Sequence, residues 1–287
     1  MKFASPDGIT VSSMSVRPSG QAYLLTHPVA EGGPPEMDTS IIFEADQSAA
    51  RVLRVFETEI TGICWSGSRL YVVDADSKVH EHDGSGWSDF AGKRKRTGRI
   101  NDLRFLGERL YGIGDHNLIY LWNGSAWEAL TNEVQGNYLY DLALDDAGRM
   151  LVAGQRGLVG EVVAGAIVPY ETPVDTDITC VLPIGAGRFV ATGARATILV
   201  GARDDLTEVD TGDRTLSCAT AVPYEGEILV SAGREILRLD GSQAEVWQPT
   251  RALRLEERGG HLWKIDARGA AKLFRGEWRY PELVADI

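Results

Sequence analysis

Short apolar runs separated by polar turns recur along this chain at an interval of about 40 residues. The segment from Leu110 to Leu130 reads LYGIGDHNLIYLWNGSAWEAL, and the segment that begins at Leu70 reads LYVVDADSKVHEHDGSGWSDF. Each run is about five residues long, alternates or is continuously apolar, and has no helical periodicity, which predicts β-strands. Four such runs in each interval predict a four-stranded antiparallel sheet as the repeating unit.

The register of the repeat is visible at two places. Each unit opens with an apolar strand that has a small or polar residue near its start, and these openings begin at Val11, Ile60, Ile100, Leu139, Ile178, Leu216 and Ala252. The bends after the second run are marked by Asp76, His116 and Arg156 at intervals of 40, Arg195 and Arg234 at intervals of 39, and Arg268 after a further 34. Seven units follow from this register.

A four-stranded sheet of this size cannot bury both of its faces alone, and radial packing of sheet against sheet solves that problem. We therefore predict an all-β, seven-bladed β-propeller with four antiparallel strands per blade, formed by residues 1–287 as a single domain. The predicted blades span residues 10–58, 60–93, 100–132, 139–172, 178–210, 216–247 and 251–283. The insertion HPVAEGGPPEMDTS makes the first blade irregular, so six or eight blades are alternatives.

Two of these phrases, LYGIGDHNLIYLWNGSAW and MLVAGQRGLVGEVV, resemble the bacterial propeller repeats that are grouped as WD40, YVTN or BNR-like. The resemblance covers about six of the seven units, and it implies the fold rather than a chemistry. The sialidase-type Asp-box, Ser-x-Asp-x-Gly-x-Thr-Trp, is matched only in part by HEHDGSGW, where His82 replaces the aspartate. The Trp-Asp pair of many WD40 blades is absent.

Composition restricts the class of partner. The chain has 41 acidic and 29 basic residues and a net charge of −12, so we expect neither nucleic acid nor an anionic membrane to bind it. Its opening MKFASPDGIT has no apolar run, and no stretch approaches the ~18 apolar residues of a membrane span. Three scattered cysteines predict reduced thiols. We expect a cytoplasmic monomer that uses no cofactor or metal.

The loops between second and third strands, together with the loops that join blades, should open on one face of a propeller. Four arginines mark successive bends on that face: Arg156, Arg195, Arg234 and Arg268. A guanidinium group grips carboxylates in a bidentate manner, so this set is a candidate anion-binding site. Pairing of each arginine with a carboxylate on the adjoining loop is the plainer interpretation.

Acidic residues are more widespread on the same face. The residues that we predict to contact a partner are Glu57, Glu59, Asp74, Asp76, Asp115, His116, Glu133, Glu171, Asp175, Asp177, Asp210 and Asp213. With few lysines among them, they would project a negative field towards an approaching protein and speed its capture. Solubility alone is the competing explanation of this acidity.

An enzymatic interpretation depends on Asp102 and Asp141, which share one register position at the start of innermost strands. Two carboxylates about 5–10 Å apart could hydrolyse a glycosidic bond. Ser13, Gly62, Cys180 and Cys218 occupy the same position, so capping of backbone amides is the plainer role. The sequence contains no nucleophile–His–Asp order and no phosphate-binding glycine loop.

We therefore predict a non-catalytic, protein-binding propeller. Its size, acidity and lack of a catalytic signature resemble bacterial immunity proteins, which suggests a partner such as a basic nuclease toxin. The alternatives are a hydrolase or lyase that acts on a sugar-like or anionic substrate at the axial channel, and a scaffold for the assembly of a larger complex.

Overall fold

The structure is a computed structural model that describes residues 9–29, 36, 38–90, 93–94, 99–131, 138–212, 214–215 and 217–284. Within these ranges the regular elements are strands, apart from one short 3-10 turn at Asp115–Asn117. None of the described segments forms a helix long and apolar enough to cross a membrane. The all-β prediction is confirmed, as expected for five-residue apolar runs without a helical period.

The chain forms two compact units, residues 1–92 with 254–287 (unit 1) and residues 93–253 (unit 2). Unit 1 contains β1 (Ile9–Val16), β2 (Ala22–Pro28), β3 (Ser40–Ala45), β4 (Ala49–Phe56), β5 (Ile60–Trp65), β6 (Leu70–Asp74), β7 (Val79–His82), β8 (Trp87–Phe90), β26 (Arg254–Arg258), β27 (His261–Asp266), β28 (Gly269–Phe274), β29 (Glu277–Arg279) and β30 (Glu282–Val284).

Unit 2 contains β9 (Lys93–Arg94), β10 (Ile100–Leu106), β11 (Arg109–Gly114), β12 (Ile119–Trp122), β13 (Ala126–Ala129), β14 (Leu139–Leu144), β15 (Met150–Gly154), β16 (Val159–Val163), β17 (Ala166–Pro169), β18 (Ile178–Gly185), β19 (Arg188–Gly193), β20 (Ile198–Gly201), β21 (Thr207–Glu208), β22 (Ala221–Tyr224), β23 (Glu227–Ser231), β24 (Ile236–Asp240) and β25 (Gln243–Gln248).

These strands form seven sheets, and in each of them four consecutive strands pair antiparallel in chain order. The protein is a seven-bladed β-propeller with four antiparallel strands per blade, which confirms the predicted fold class. Blades 1, 2 and 7 belong to unit 1, and blades 3, 4, 5 and 6 belong to unit 2. That all seven form one domain stays a prediction.

A β-bulge explains the small or polar residue near the start of the innermost strands. The pairing of the first two strands shifts by one residue immediately before Ser13, Gly62, Asp102, Asp141 and Cys180 in blades 1 to 5. A bulge leaves one residue outside the ladder and re-aims the next side chain. The small or polar residue at this register position is therefore explained by the bulge in the backbone, without a catalytic role.

The apolar faces of neighbouring blades pack together within each unit. In unit 2, Val152 of blade 4 packs with Ile113 of blade 3, and Leu151 on the opposite side packs with Phe189 of blade 5. In unit 1, Trp263 of blade 7 is fully buried against the core of blade 1. Burial of this apolar surface is the main driving force that holds the blades side by side.

Inner strands are also joined by hydrogen bonds between blades. In unit 1 the Ser15 hydroxyl accepts the Trp65 N–H at 2.9 Å, and the Glu256 carboxylate accepts the Val16 N–H at 2.7 Å. These bonds satisfy backbone N–H groups on the edge of the innermost strand that has no neighbouring strand in its own sheet.

The pairing of chain segments differs from the predicted blades in two respects. The inner strand of blade 6 was predicted from Leu216, which lies outside the described residues, but β22 begins only at Ala221. Cys218 N–H instead donates to Gly193 O of blade 5 at 2.8 Å. In addition, β30 and β9 pair in parallel with the outer strands β4 and β13 as fifth strands.

Candidate functional site

Strand alternation places two sets of loops at one end of the blades in unit 2. These are the bends between second and third strands (residues 115–118, 155–158, 194–197 and 232–235) and the connections between blades (residues 170–177, 209–220 and 249–253). We call the described part of this surface the loop face of unit 2. The other turns lie at the opposite end because each strand reverses direction.

Three of the four bends are held by a backbone hydrogen bond to the connection that precedes their blade. Asp115 N–H donates to Arg99 O at 3.0 Å, Gln155 N–H to Tyr138 O at 2.9 Å, and Ala194 N–H to Asp177 O at 2.8 Å. Two bends are also held from the following side, since Thr176 O accepts Gly157 N–H and Ala252 N–H donates to Gly233 O. The loop face is therefore a preorganised surface rather than a set of free loops.

Three bends have a left-handed backbone at a residue other than glycine. The φ angle is 58° at His116, 56° at Arg156 and 55° at Arg195. This conformation costs an L-residue roughly 1–2 kcal/mol, and glycine would adopt it without that cost. The presence of a large polar side chain at a position with this backbone cost is a reason to look for function there.

The arginines at these bends differ in their partners. Arg156, Arg195 and Arg234, which we call the arginine row, are exposed, and none of them forms an ion pair with a carboxylate of the described residues. Only Arg268 of unit 1 is paired, with Asp266 at 3.6 Å and with the Tyr280 hydroxyl. Among the described residues, therefore, no carboxylate of an adjoining loop neutralises an arginine of the row, and pairing with Glu133 or Asp213 stays a prediction because those two residues lie outside the described ranges.

Several carboxylates of the loop face serve the local backbone. Asp177 accepts the Tyr140 hydroxyl at 3.1 Å and the Arg156 N–H at 3.2 Å. Asp115 accepts the Arg99 N–H at 2.9 Å and the Asn101 amide at 2.8 Å. Burial raises the pKa of Asp115, but these hydrogen bonds outweigh burial and lower its pKa below the usual value.

Other predicted acidic residues are distributed more widely. Glu171 and Asp175 are exposed on the loop face, and Asp210 there accepts the Gly212 N–H. Glu57, Glu59, Asp74 and Asp76 belong to unit 1, where Asp74 is buried beside His80. Glu133 and Asp213 lie outside the described residues.

Sequence reasoning missed two apolar contributors to the loop face. Tyr138 is 47% exposed next to the bend that carries Arg156, and Leu253 is 44% exposed next to the bend that carries Arg234. Both stand immediately before an innermost strand, outside its apolar alternation. The sequence did contain a signal: each of these two residues is apolar or aromatic, yet it lies in a connection between blades and not at a core position of a strand.

The paired aspartates that motivated an enzymatic interpretation are engaged with each other through an arginine. Arg104 Nη1 lies 2.6 Å from Asp102 Oδ2, and Arg104 Nε lies 2.8 Å from Asp141 Oδ1. The second Asp141 oxygen accepts the Val181 N–H at 3.0 Å. This network joins blades 3, 4 and 5, so the capping role predicted for Asp141 is observed.

Two open clefts in unit 2 lie between the outer parts of neighbouring blades. One, of about 740 Å³, is lined by residues that include Tyr111, Arg149 and Val163. The other, of about 490 Å³, is lined by residues that include Tyr170 and Arg203. Neither is lined by the aspartate pair, and the described residues contain no group of three side chains suited to a metal.

Comparisons with known proteins support the fold and go no further. No family model matches the sequence, and no curated protein matches it. Among solved structures, the WD40 propeller domain of Doa1 superposes with a TM-score of 0.72 at 10% identity, over 96% of this chain and 97% of that one. A structure of YCF48 bound to D1 peptide gives 0.70 at 16%, over 97% and 95%. A chain of the mitotic checkpoint complex gives 0.69 at 15%, over 96% of both chains.

Proposed function

We propose that this chain is a non-catalytic, protein-binding propeller whose partner docks on the loop face of unit 2. The observation that carries the proposal is the arginine row, because three guanidinium groups stand exposed at equivalent bends of successive blades and form no ion pair with the carboxylates that the structure describes. An exposed arginine without an internal partner keeps its five donors available to a ligand.

The side chains around the row are of the types that dominate protein interfaces. Arginine and tyrosine are enriched among the residues that contribute most to binding, and Tyr138 lies beside Arg156. The backbone of the bends is already ordered by hydrogen bonds to the neighbouring loops, so little conformational entropy is lost when a partner docks.

Proteins of the same fold offer an analogy for this role. One neighbour, YCF48, has a structure bound to the D1 peptide, and another is a chain of the mitotic checkpoint complex. Both therefore take part in contacts with other polypeptides. The analogy is one of fold alone, and the partner of this chain has to be argued from its own surface.

The charges of the surface favour a partner that carries both positive and negative side chains. The net charge of −12 and the exposed Glu171 and Asp175 attract a basic protein over long distances. At contact, the arginine row calls for carboxylates on that protein. A basic toxin neutralised by an immunity protein is one partner of this kind, and a subunit of a larger assembly built on this scaffold is another.

Charge reversal tests where the partner binds. A column carrying the wild-type chain captures the partner from an extract of the source organism, and the purified partner is then titrated calorimetrically. We expect R156E/R195E/R234E to weaken binding at least 10-fold. The control variant R109E/R188E reverses the charge of two exposed arginines of unit 2 at the starts of β11 and β19, at the opposite end of the blades, and should bind as the wild type does.

The proposal fails if R156E/R195E/R234E binds as tightly as the control variant R109E/R188E. The toxin hypothesis has its own test, which is titration of the wild-type chain with purified basic nuclease toxins. Binding in the nanomolar range supports it, whereas micromolar or weaker binding to all of them removes the toxin and leaves the protein-binding role to the first experiment.

A further inference from the structure

The outer strands of this propeller accept additional strands. The fourth strand of a blade has one edge without a partner in its own sheet, and its N–H and C=O groups can pair with another chain. In blade 1, β30 covers this edge of β4, with Glu282 opposite Ala49 and Val284 opposite Arg51. In blade 3, β9 covers the edge of β13. Both added strands run parallel to the strand that they cover.

Blade 6 shows the beginning of the same arrangement. Asp210 lies beside Gln243 in a parallel bridge, in which Asp210 N–H donates to Ser242 O at 3.1 Å and Ala244 N–H donates to Asp210 O at 3.2 Å. The chain then turns away. In the described part of the molecule no further strand lies along this edge of β25.

The remainder of that edge is open and regular. Since Ala244 N–H points outward to Asp210, the backbone N–H and C=O of Val246 point outward too, because residues two apart on a strand share a direction. Glu245 lies between them and pairs with Arg238 of β24 in an unshifted register. A register shift after Val246 ends the regular ladder, so the open stretch is Ala244–Val246. Because the Ala244 N–H is taken by Asp210, this stretch offers the C=O of Ala244 and the N–H and C=O of Val246.

Few of the usual protections against strand addition are present on β25. With six residues it is the longest outer strand that no fifth strand covers in the described chain, and it contains neither lysine nor proline. Val246 is 46% exposed beside this edge. The charge of Glu245 is offset by Arg238, whose guanidinium lies 2.9 Å from its carboxylate.

We propose that the Ala244–Val246 edge of β25 is a second docking site, which binds an extended, basic segment of a partner protein as a parallel fifth strand. An apolar side chain of that segment packs on Val246. A basic side chain at the amino end of that segment faces the carboxylates at the Gln243 end of the stretch, since Asp210 bridges Gln243, Asp240 pairs with it, and both aspartates are exposed. This site is on the outer edge of blade 6, apart from the arginine row, so either site can fail without the other.

A short peptide of defined composition tests the site. The probe is acetyl-KTVTVK-amide, titrated to 5 mM into the ¹⁵N-labelled full chain. We expect saturable amide shifts confined to β24 and β25, together with slowed hydrogen exchange at Val246. A spin label on the amino end of the peptide should broaden Gln243 more than Gln248. Shifts confined to other blades, no shifts at 5 mM, or broadening mainly at Gln248 would each overturn the proposal.

Two sets of variants show whether the backbone edge makes the contact. Val246→Pro removes an outward donor that β24 does not use, and it should weaken binding about 10-fold, whereas Val246→Thr keeps the N–H and should stay within about 2-fold. In the peptide, the backbone N–H groups of alternate residues point towards β25 or away from it. N-methylation of the residues whose N–H groups point towards β25 should abolish binding, and N-methylation of the other residues should leave binding unchanged. Equal affinity for both methylated peptides refutes strand addition even if the proline variant does not fold.

Discussion

Removal of the Asp141 carboxylate should destabilise unit 2 more than any change at an exposed carboxylate. This side chain is 11% exposed and joins three blades, because one oxygen pairs with Arg104 and the other accepts the Val181 N–H. In Asp141→Ala the Val181 N–H is left buried without its acceptor, which costs about 1–3 kcal/mol.

The loss of the ion pair adds to that cost. Breaking a fully buried pair costs about 3–5 kcal/mol, but Arg104 is 21% exposed and keeps Asp102 as a partner, so the penalty here is smaller. We expect Asp141→Ala to lower the free energy of unfolding by about 2–4 kcal/mol. Asp141→Asn retains an acceptor for Val181 and should lower it by about 1–2 kcal/mol.

Urea denaturation of the full chain, followed by tryptophan fluorescence and by circular dichroism, measures these differences. Two probes are needed because a chain with two compact units can unfold in two steps. The control is Asp175→Ala, which changes an exposed carboxylate and should leave the midpoint unaltered. If Asp141→Ala unfolds within about 0.5 kcal/mol of the wild type, the network between blades does not stabilise the fold as argued.

Three further changes test local parts of the structure. Asn123→Ala removes an acceptor that caps three donors of a tight turn and should cost about 1 kcal/mol in chemical denaturation. Asn123→Asp keeps that acceptor but replaces the amide that donates to Glu128 with a second carboxylate, so it should recover only part of this loss. A hydrogen bond from Arg54 is the main cause that lowers the pKa of Asp89 to about 2. The ionised Asp89 therefore stabilises the folded state fully above pH ~4, and this stabilisation is lost as the pH falls through 2. The melting temperature of Asp89→Asn should depend less on pH in that window than the melting temperature of the wild type. Gly157→Ala would bring a methyl group to 2.1 Å from Val174 O at a φ of +74°, and it should lower the melting temperature by about 4 °C or more, unlike Gly86→Ala, where the added methyl group meets open space and the backbone is not left-handed.

The sequence was most informative where local chemistry and repetition agree. The bends at His116, Arg156 and Arg195 were located from spacing alone, because each unit uses the same turn at the same distance from its apolar runs. The sequence showed that a small or polar residue is required near the start of the inner strands, but it did not show that a bulge is the reason. A bulge depends on how two strands pair, and the sequence of one strand does not show its pairing.

The features that sequence reasoning missed depend on contacts between distant segments. Whether Arg156 or Arg234 meets a carboxylate is decided by the conformation of two separate loops. The fifth strand β30 joins residues 282–284 to residues 49–51, and no local pattern indicates that pairing. Exposure of Tyr138 follows from the absence of a neighbouring core position, which only the packed blade reveals.

Hydrogen exchange of the complex tests the central claim most directly. The purified partner is added to the full chain, and amide exchange is compared with that of the free protein across both units. The account predicts new protection at residues 155–158, 194–197 and 232–235, the bends that carry the arginine row. Protection confined to the turns at the opposite end of the blades, with unchanged exchange at these three bends, would contradict it.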